Sequence, residues 1–323
     1  KVRMLRCLKR MGRLPAVLRA PRGTGVAGDH NLFLRASVPS AVVARRGCGS
    51  EWVSRGMSSS QAEAAKEKAD VRCEACTGTV DLYHQHILIF TGDAPWPPMV
   101  EHKVDGIPIV SKTMQIIQNR NKQGLNGDVI FKVGAIEGHY DANADVAAAT
   151  KAGVFDVLLF PSALRFQATE ADMEDLVESF LSFSTPYQHL SPPPDGRIAG
   201  QPLNEDTHLM VCVHGSRDAK CGDIGPVLAD NLEACLSPDL KKDVRVYRCS
   251  HLGGHKFAGN LLVYPKGDWY GNLVAADSLN IVTEILSGQE SLKSELLSQH
   301  WRGRLGVNKD EQVYLFDQSK QST

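Results

Sequence analysis

Cys212, Cys221, His251 and His255 carry the thiol and imidazole donors that hold soft and borderline metals. Eight residues separate the two cysteines, in CVHGSRDAKC. That loop is wide enough to wrap something larger than one ion, whereas zinc knuckles bring paired cysteines from turns of two to four residues. In HLGGH, residues 251–255, the histidines stand four apart, but Gly253 and Gly254 between them disfavour a helix by about 1 kcal/mol each. No glutamate follows His251 to serve as the base of a metalloprotease. A glycine-permitted turn at a strand end is therefore the expected geometry. The donor set suits zinc or a 2Fe–2S cluster. In the latter, two cysteines on one iron and two histidines on the other would be Rieske-like, with a raised potential and proton-coupled reduction. Arg217, Lys220 and Lys256 flank the donors, and His214 and Cys249 lie close enough to support them or, for Cys249, to compete.

Two segments must position these residues. Thr207 to Val213, Val244 to Cys249 and Leu261 to Tyr264 read as strands, with Ile224 to Leu236 and Leu273 to Ser287 as helices. Pro265-Lys266-Gly267-Asp268 reads as a turn leading into a hairpin strand at Trp269 to Asn272. That order suits a thioredoxin-like layer of helices on a small mixed sheet. Upstream, His86 to Phe90, Asp128 to Val133 and Val154 to Phe160 are strand candidates. Ser111 to Gln123 and Thr169 to Phe183 are helix candidates. The fold class is α/β, as two small α/β domains. The organisation is a leader at 1–57, a linker at 58–79, a first domain at 80–190, a proline-rich linker at 191–206, a second domain at 207–288 and a tail at 289–323. No tandem repeat of short period is visible. Trp301 in the polar tail is expected to anchor it on the body.

Of 323 residues, 42% are hydrophobic and 23% charged, ordinary for a globular chain. No apolar run is long enough to cross a bilayer. Residues 1–56 hold twelve Lys/Arg against Asp29 and Glu51, which leaves the remainder acidic and disfavours nucleic acid. Met4, Leu5, Leu8, Met11 and Leu14 share one face of a basic amphipathic helix, the composition of an organellar transit peptide. A mitochondrial address is expected over a plastid one, with a cytosolic form if translation starts at Met57. In a reducing compartment Cys/His clusters read as metal sites before disulfides. Cys73-Glu74-Ala75-Cys76 lacks a second pair and a strand-to-helix context, so it reads as structural. His84, His86 and Cys235 read likewise, and Trp96-Pro97-Pro98 as a packed turn that could dock one domain on the other.

Cys-x8-Cys followed by HLGGHKFAGNLLVYPKGDWYGNL resembles the sucrase/ferredoxin-like family of thioredoxin-like ferredoxins, as do DLYHQHILIFTGDAPWPPMVE and the HWRG tail, over roughly residues 77–306. The resemblance implies a 2Fe–2S cluster on Cys212, Cys221, His251 and His255. It also implies an electron carrier rather than a catalyst, exchanging electrons with redox donor and acceptor proteins. No carboxylate pair can be placed about a glycosidic bond, so the family's name does not imply a sucrase. The competing expectation is a zinc-stabilised thiol oxidoreductase or interaction module.

Overall fold

The computed structural model describes residues 76–321 apart from 94, 142–143, 182–199, 204 and 289. The leader, most of the first linker, Cys73 and the SPPPDG segment therefore lie outside the described residues.

Ten strands form one sheet, in the order β10-β9-β8-β6-β7-β2-β1-β3-β4-β5. In chain order they are β1 Gln85–Phe90, β2 Phe131–Ile136, β3 Phe155–Phe160, β4 Leu164–Ala168, β5 Gln201–Pro202, β6 Thr207–Cys212, β7 Val244–Cys249, β8 Leu261–Tyr264, β9 Asp268–Tyr270 and β10 Trp301–Arg304. The helices are α1 Pro108–Lys122, α2 Ala144–Lys151, α3 Met173–Phe180, α4 Ala219–Cys235, α5 Ser278–Leu286, α6 Glu295–His300 and α7 Lys309–Gln321. None is long and apolar enough to cross a membrane among the described residues.

The sheet order shows a duplication that no short-period repeat reveals. β1 pairs in parallel with β2 and antiparallel with β3, which pairs antiparallel with β4. β6, β7, β8 and β9 repeat that pattern. Each half crosses from its first to its second strand through a helix, α1 or α4, as parallel neighbours require. The halves meet where β2 and β7 pair antiparallel at Ile136 and Cys249. Glu137 donates its N–H to the Arg248 carbonyl and Ser250 to that of Ala135, each at 2.9 Å.

Strand periodicity then assigns the two faces of each half. Ile87 and Ile89 point outward onto α1 and α3, meeting Ile109, Ile116, Leu176 and Phe180. Leu209 and Val211 likewise meet Leu228 and Leu232 of α4 and Ile281 of α5. Leu88 and Phe90 face inward with Phe160, and pack in one cluster with Met210, Cys212, Tyr247 and Tyr264 of the other half. The Phe160 and Tyr264 rings stack at 4.2 Å. The halves are thus closed on each other, with Cys212 at the inner end of its strand. Because the central strands are covered on both faces, they read as near-continuous apolar runs such as QHILIF.

Each half carries a histidine at the second position of its first strand, His86 and His208, and both are 0% exposed. Their Nδ1 atoms lie 2.9 Å from the Tyr264 hydroxyl and 3.3 Å from the Tyr247 hydroxyl respectively. Burial holds both neutral, His208 down to about 4. Below pH 6.5 the unfolded chain takes a proton at His208 that the folded chain refuses until about pH 4. Stability is therefore expected to fall as pH drops through that window, by on the order of 3 kcal/mol from His208 alone. Urea unfolding between pH 7 and 4 checks this. His208→Gln should flatten the slope, and an equal slope in both proteins would rule His208 out.

Candidate metal centre

Cys212 ends β6, and α4 begins only seven residues later. Asp218 caps α4, its carboxylate accepting from the N–H of Lys220 at 3.0 Å and of Cys221 at 3.4 Å. Cys221 thus sits in the first turn of α4, held there by the cap. The sequence reading starts this helix at Ile224, five residues later than the structure does, and the early turns carry Gly222 and Gly225. Packing explains the glycines. A Cβ on Gly222 would meet the Gly215 Cα at 2.5 Å, and one on Gly225 would meet the Cys212 carbonyl oxygen at 2.0 Å. Their absent side chains let α4 rest on the end of β6, which brings Cys221 to Cys212.

The histidine loop follows β7. Gly253 and Gly254 take φ of +101° and +73°, the left-handed turn that their types allow. Arg302 of the HWRG tail, 2% exposed, holds this loop from beneath. Its guanidinium donates to the Gly253 carbonyl at 3.2 Å, Asn260 Oδ1 at 2.6 Å and the Thr79 carbonyl at 3.3 Å. Asn260 Nδ2 in turn donates to the Gly254 carbonyl at 3.1 Å. Trp301 is fully buried and donates its indole N–H to Asp268 at 2.9 Å, which anchors the tail.

A third brace comes from the first half. His214 Nε2 lies 2.9 Å from the Pro97 carbonyl, and His214 Nδ1 accepts the backbone N–H of His251 at 3.0 Å. Those partners set the ring's roles, donor at Nε2 and acceptor at Nδ1. Trp96 meets the His214 ring edge to face at 5.5 Å, and the Ser216 hydroxyl donates to the Trp96 carbonyl. Trp96-Pro97-Pro98 is thus a packed turn that clamps the cysteine loop.

The result is a convergence of Cys212, Cys221 and His251, with ligand atoms within 4.8 Å of one another. Both cysteines are 1% exposed. The hydrogen bond from Cys221, then those from His251 and the backbone N–H groups of Leu252 and His214, hold Cys212 well below the ordinary thiol range despite its burial. Cys221 is pushed up, first by that bond to Cys212 and then by burial. His251 Nδ1 is buried with no hydrogen-bond partner among the described residues. Two thiol donors and an orphaned imidazole nitrogen fit a metal or a cluster. His255 opens a short 3₁₀ turn, is exposed, and has its ring 5.8 Å from that of His251, outside the three-atom set.

The other candidates separate from the site. Cys249 is in register beside Cys212, but its Sγ approaches Met210 Sδ at 3.8 Å and burial pushes its thiol up. Cys76 is buried against Phe257 and reaches toward the Trp301 carbonyl. Cys235 is half-buried on α4, His84 Nδ1 accepts the Ile130 N–H at 3.0 Å, and His86 is core. Arg217 and Lys220 are exposed, while Lys256 sits over the Phe257 ring. Sequence reasoning missed Arg302 and Lys132, although HWRG stood out as a tail motif. No local periodicity places either beside residues so far away in the chain.

The model of the sucrase/ferredoxin-like family matches residues 76–303. Relatives called altered inheritance of mitochondria protein 32 occur in Clavispora lusitaniae, 25% identical over 46% of this chain and 58% of the relative, and in Debaryomyces hansenii, 38% identical over 26% and 33%. This chain therefore spans less than two thirds of those curated relatives. A thioredoxin-like [2Fe-2S] ferredoxin from Aquifex aeolicus is 21% identical over 26% of this chain and 83% of its own, with a TM-score of 0.23, too slight a likeness to carry an argument. The relatives are named for mitochondrial inheritance, so the expectation of a Rieske-like electron carrier is corrected. The side chains form one mixed Cys/Cys/His set with His255 outside it, rather than a cysteine pair facing a histidine pair.

Proposed function

Because this chain belongs to the sucrase/ferredoxin-like family, we propose that it is a mitochondrial protein of organelle inheritance whose working part is a Cys/His metal centre taking a 2Fe–2S cluster. The observation that carries this reading is the convergence of Cys212, Cys221 and His251, with the His251 Nδ1 lacking a hydrogen-bond partner among the described residues. When bound, the group would supply a one-electron redox couple beside a buried protein core. Cys212 and Cys221 would hold it as thiolates, and His251 as a neutral imidazole. Asp218 orients the turn bearing Cys221, His214 fixes the backbone of His251, and Arg302 fixes the glycine turn between the histidines. The relatives' name and the basic composition of residues 1–56 support the organelle, and the inheritance role extends from proteins that this chain covers only in part.

Anaerobic purification with iron, acid-labile sulfide and zinc analysis tests the centre. A coloured protein with two irons and two sulfides per chain is the expected result. A colourless protein with one zinc would overturn the cluster and favour zinc. Expression in cells lacking a relative, scored for inheritance of functional mitochondria, tests the role. Equal rescue by the chain and by its Cys212→Ser variant would sever that role from the centre.

A further inference from the structure

Lys132 stands on β2 of the first half, yet its ammonium lies beneath the histidine loop of the second. Its Nζ is 5.4 Å from the Trp269 ring centre and 6.0 Å from that of Tyr83. A Cβ on Gly253 would lie 4.0 Å from the same Nζ. Arg302 flanks the opposite approach, with its guanidinium carbon 5.6 Å from the Trp269 ring and a hydrogen bond to the Gly253 carbonyl. Two cations therefore share one indole directly under the loop between His251 and His255.

Lys132 is half-buried, so an anion beside it would offset part of its lost hydration. Removing a cation from water is costly unless it is paired, and aromatic faces return only part of that cost. Among the described residues Lys132 joins no ion pair, and Asp81, whose charge reaches it, is bound to Lys309 at 2.7 Å. Burial lowers the Lys132 ammonium to about 8, while the negative charge of Cys212 pulls the other way. The thiolate end of the metal centre is one of three negative charges that reach Lys132, after Asp81 and ahead of Glu101, and the one that belongs to the loop's own site.

We propose that Lys132 is the counter-cation of the metal centre, a positioning residue of the first half whose charge stabilises the electron-rich state of the group held by the second. The inference rests on the metal-centre reading above. It also gives the inert half a role, since that half has Phe90 where the other has Cys212 and supplies charge in place of ligands.

The test compares full-length wild type, Lys132→Met, Lys132→Gln and Lys132→Arg, each loaded with iron and sulfide and titrated potentiometrically by visible absorbance. A unit charge at this range, in a medium of effective dielectric about 20, is expected to move the equilibrium roughly tenfold. The Met and Gln variants should both shift that far toward the oxidised form, a midpoint about 59 mV lower for one electron. The Arg variant should stay within about twofold of wild type. An unmoved midpoint in the neutral variants would overturn the proposal. So would an equal fall in the Arg variant, which would assign Lys132 to packing. Failure of the metal-centre reading looks different, because all four proteins, wild type included, would then lack iron and colour.

Discussion

Cys212→Ser is expected to empty the site. The serine hydroxyl is a poor substitute for a thiolate toward zinc or iron, and Cys212 is the donor whose thiol Cys221 and the surrounding N–H groups shift downward. Metal content should fall below about a tenth of wild type, an effect of more than 1.4 kcal/mol in binding and the largest expected for one atom changed. A site filled at a thousandfold excess over its dissociation constant stabilises the fold by about 4 kcal/mol. For a domain of this size that is a loss of roughly 10 °C in the melting temperature of the loaded protein. The metal-free forms of wild type and variant should melt close together, since exchanging sulfur for oxygen opens no large cavity. Elemental analysis and calorimetry of loaded and stripped proteins provide the check. Full metal retention in the serine variant would remove Cys212 from the ligand set.

Gly225→Ala has the second largest expected effect, and its sign runs against helix propensity. Alanine is favoured over glycine within a helix by about 1 kcal/mol, which predicts a gain for α4. The new methyl would lie 2.0 Å from the Cys212 carbonyl oxygen and 3.0 Å from the Val213 Cα. Both are backbone atoms of β6 and its exit, so no side chain can rotate away. Relief requires α4 to lift from the strand, and overpacking of this kind costs about 1–3 kcal/mol. The contact is short enough to place the cost at the upper end, so a net loss of about 2 kcal/mol is expected. Cys221 rides on α4 while Cys212 stays on β6, so metal occupancy should fall with stability. Urea unfolding and metal analysis of the variant decide the matter. A variant more stable than wild type with a full site would show that α4 does not press on β6.

The four chemical residues were legible because Cys-x8-Cys and HLGGH are local strings, and their glycines announce a turn whatever surrounds it. Most strand cores were legible for a similar reason. QHILIF, THLMVC and LLVY are apolar runs bounded by turn residues, and Val244 to Cys249 and Leu261 to Tyr264 are found at the expected positions. β4 was missed because LRFQA is short and directly follows β3, so it reads as the end of a loop.

What the sequence by itself determined is the chemistry on offer, meaning two thiols, two imidazoles and the α/β strings that carry them. Only the tertiary structure decided which donors meet. Sequence spacing cannot tell that Cys221 turns onto Cys212 because Gly225 lets a helix sit on a strand end. Nor can it tell that His255 stands apart while His251 joins the pair. The supports come from still farther away, with Pro97 on His214, Arg302 on Gly253 and Lys132 beneath the same loop. Arg302 comes in with the tail strand that pairs with β9, and Pro97 and Lys132 come from the first half as the two halves close their inner faces on each other, a consequence of burying apolar area across the whole sheet. Such non-directional burial leaves no local signature, and it set the surroundings of every ligand.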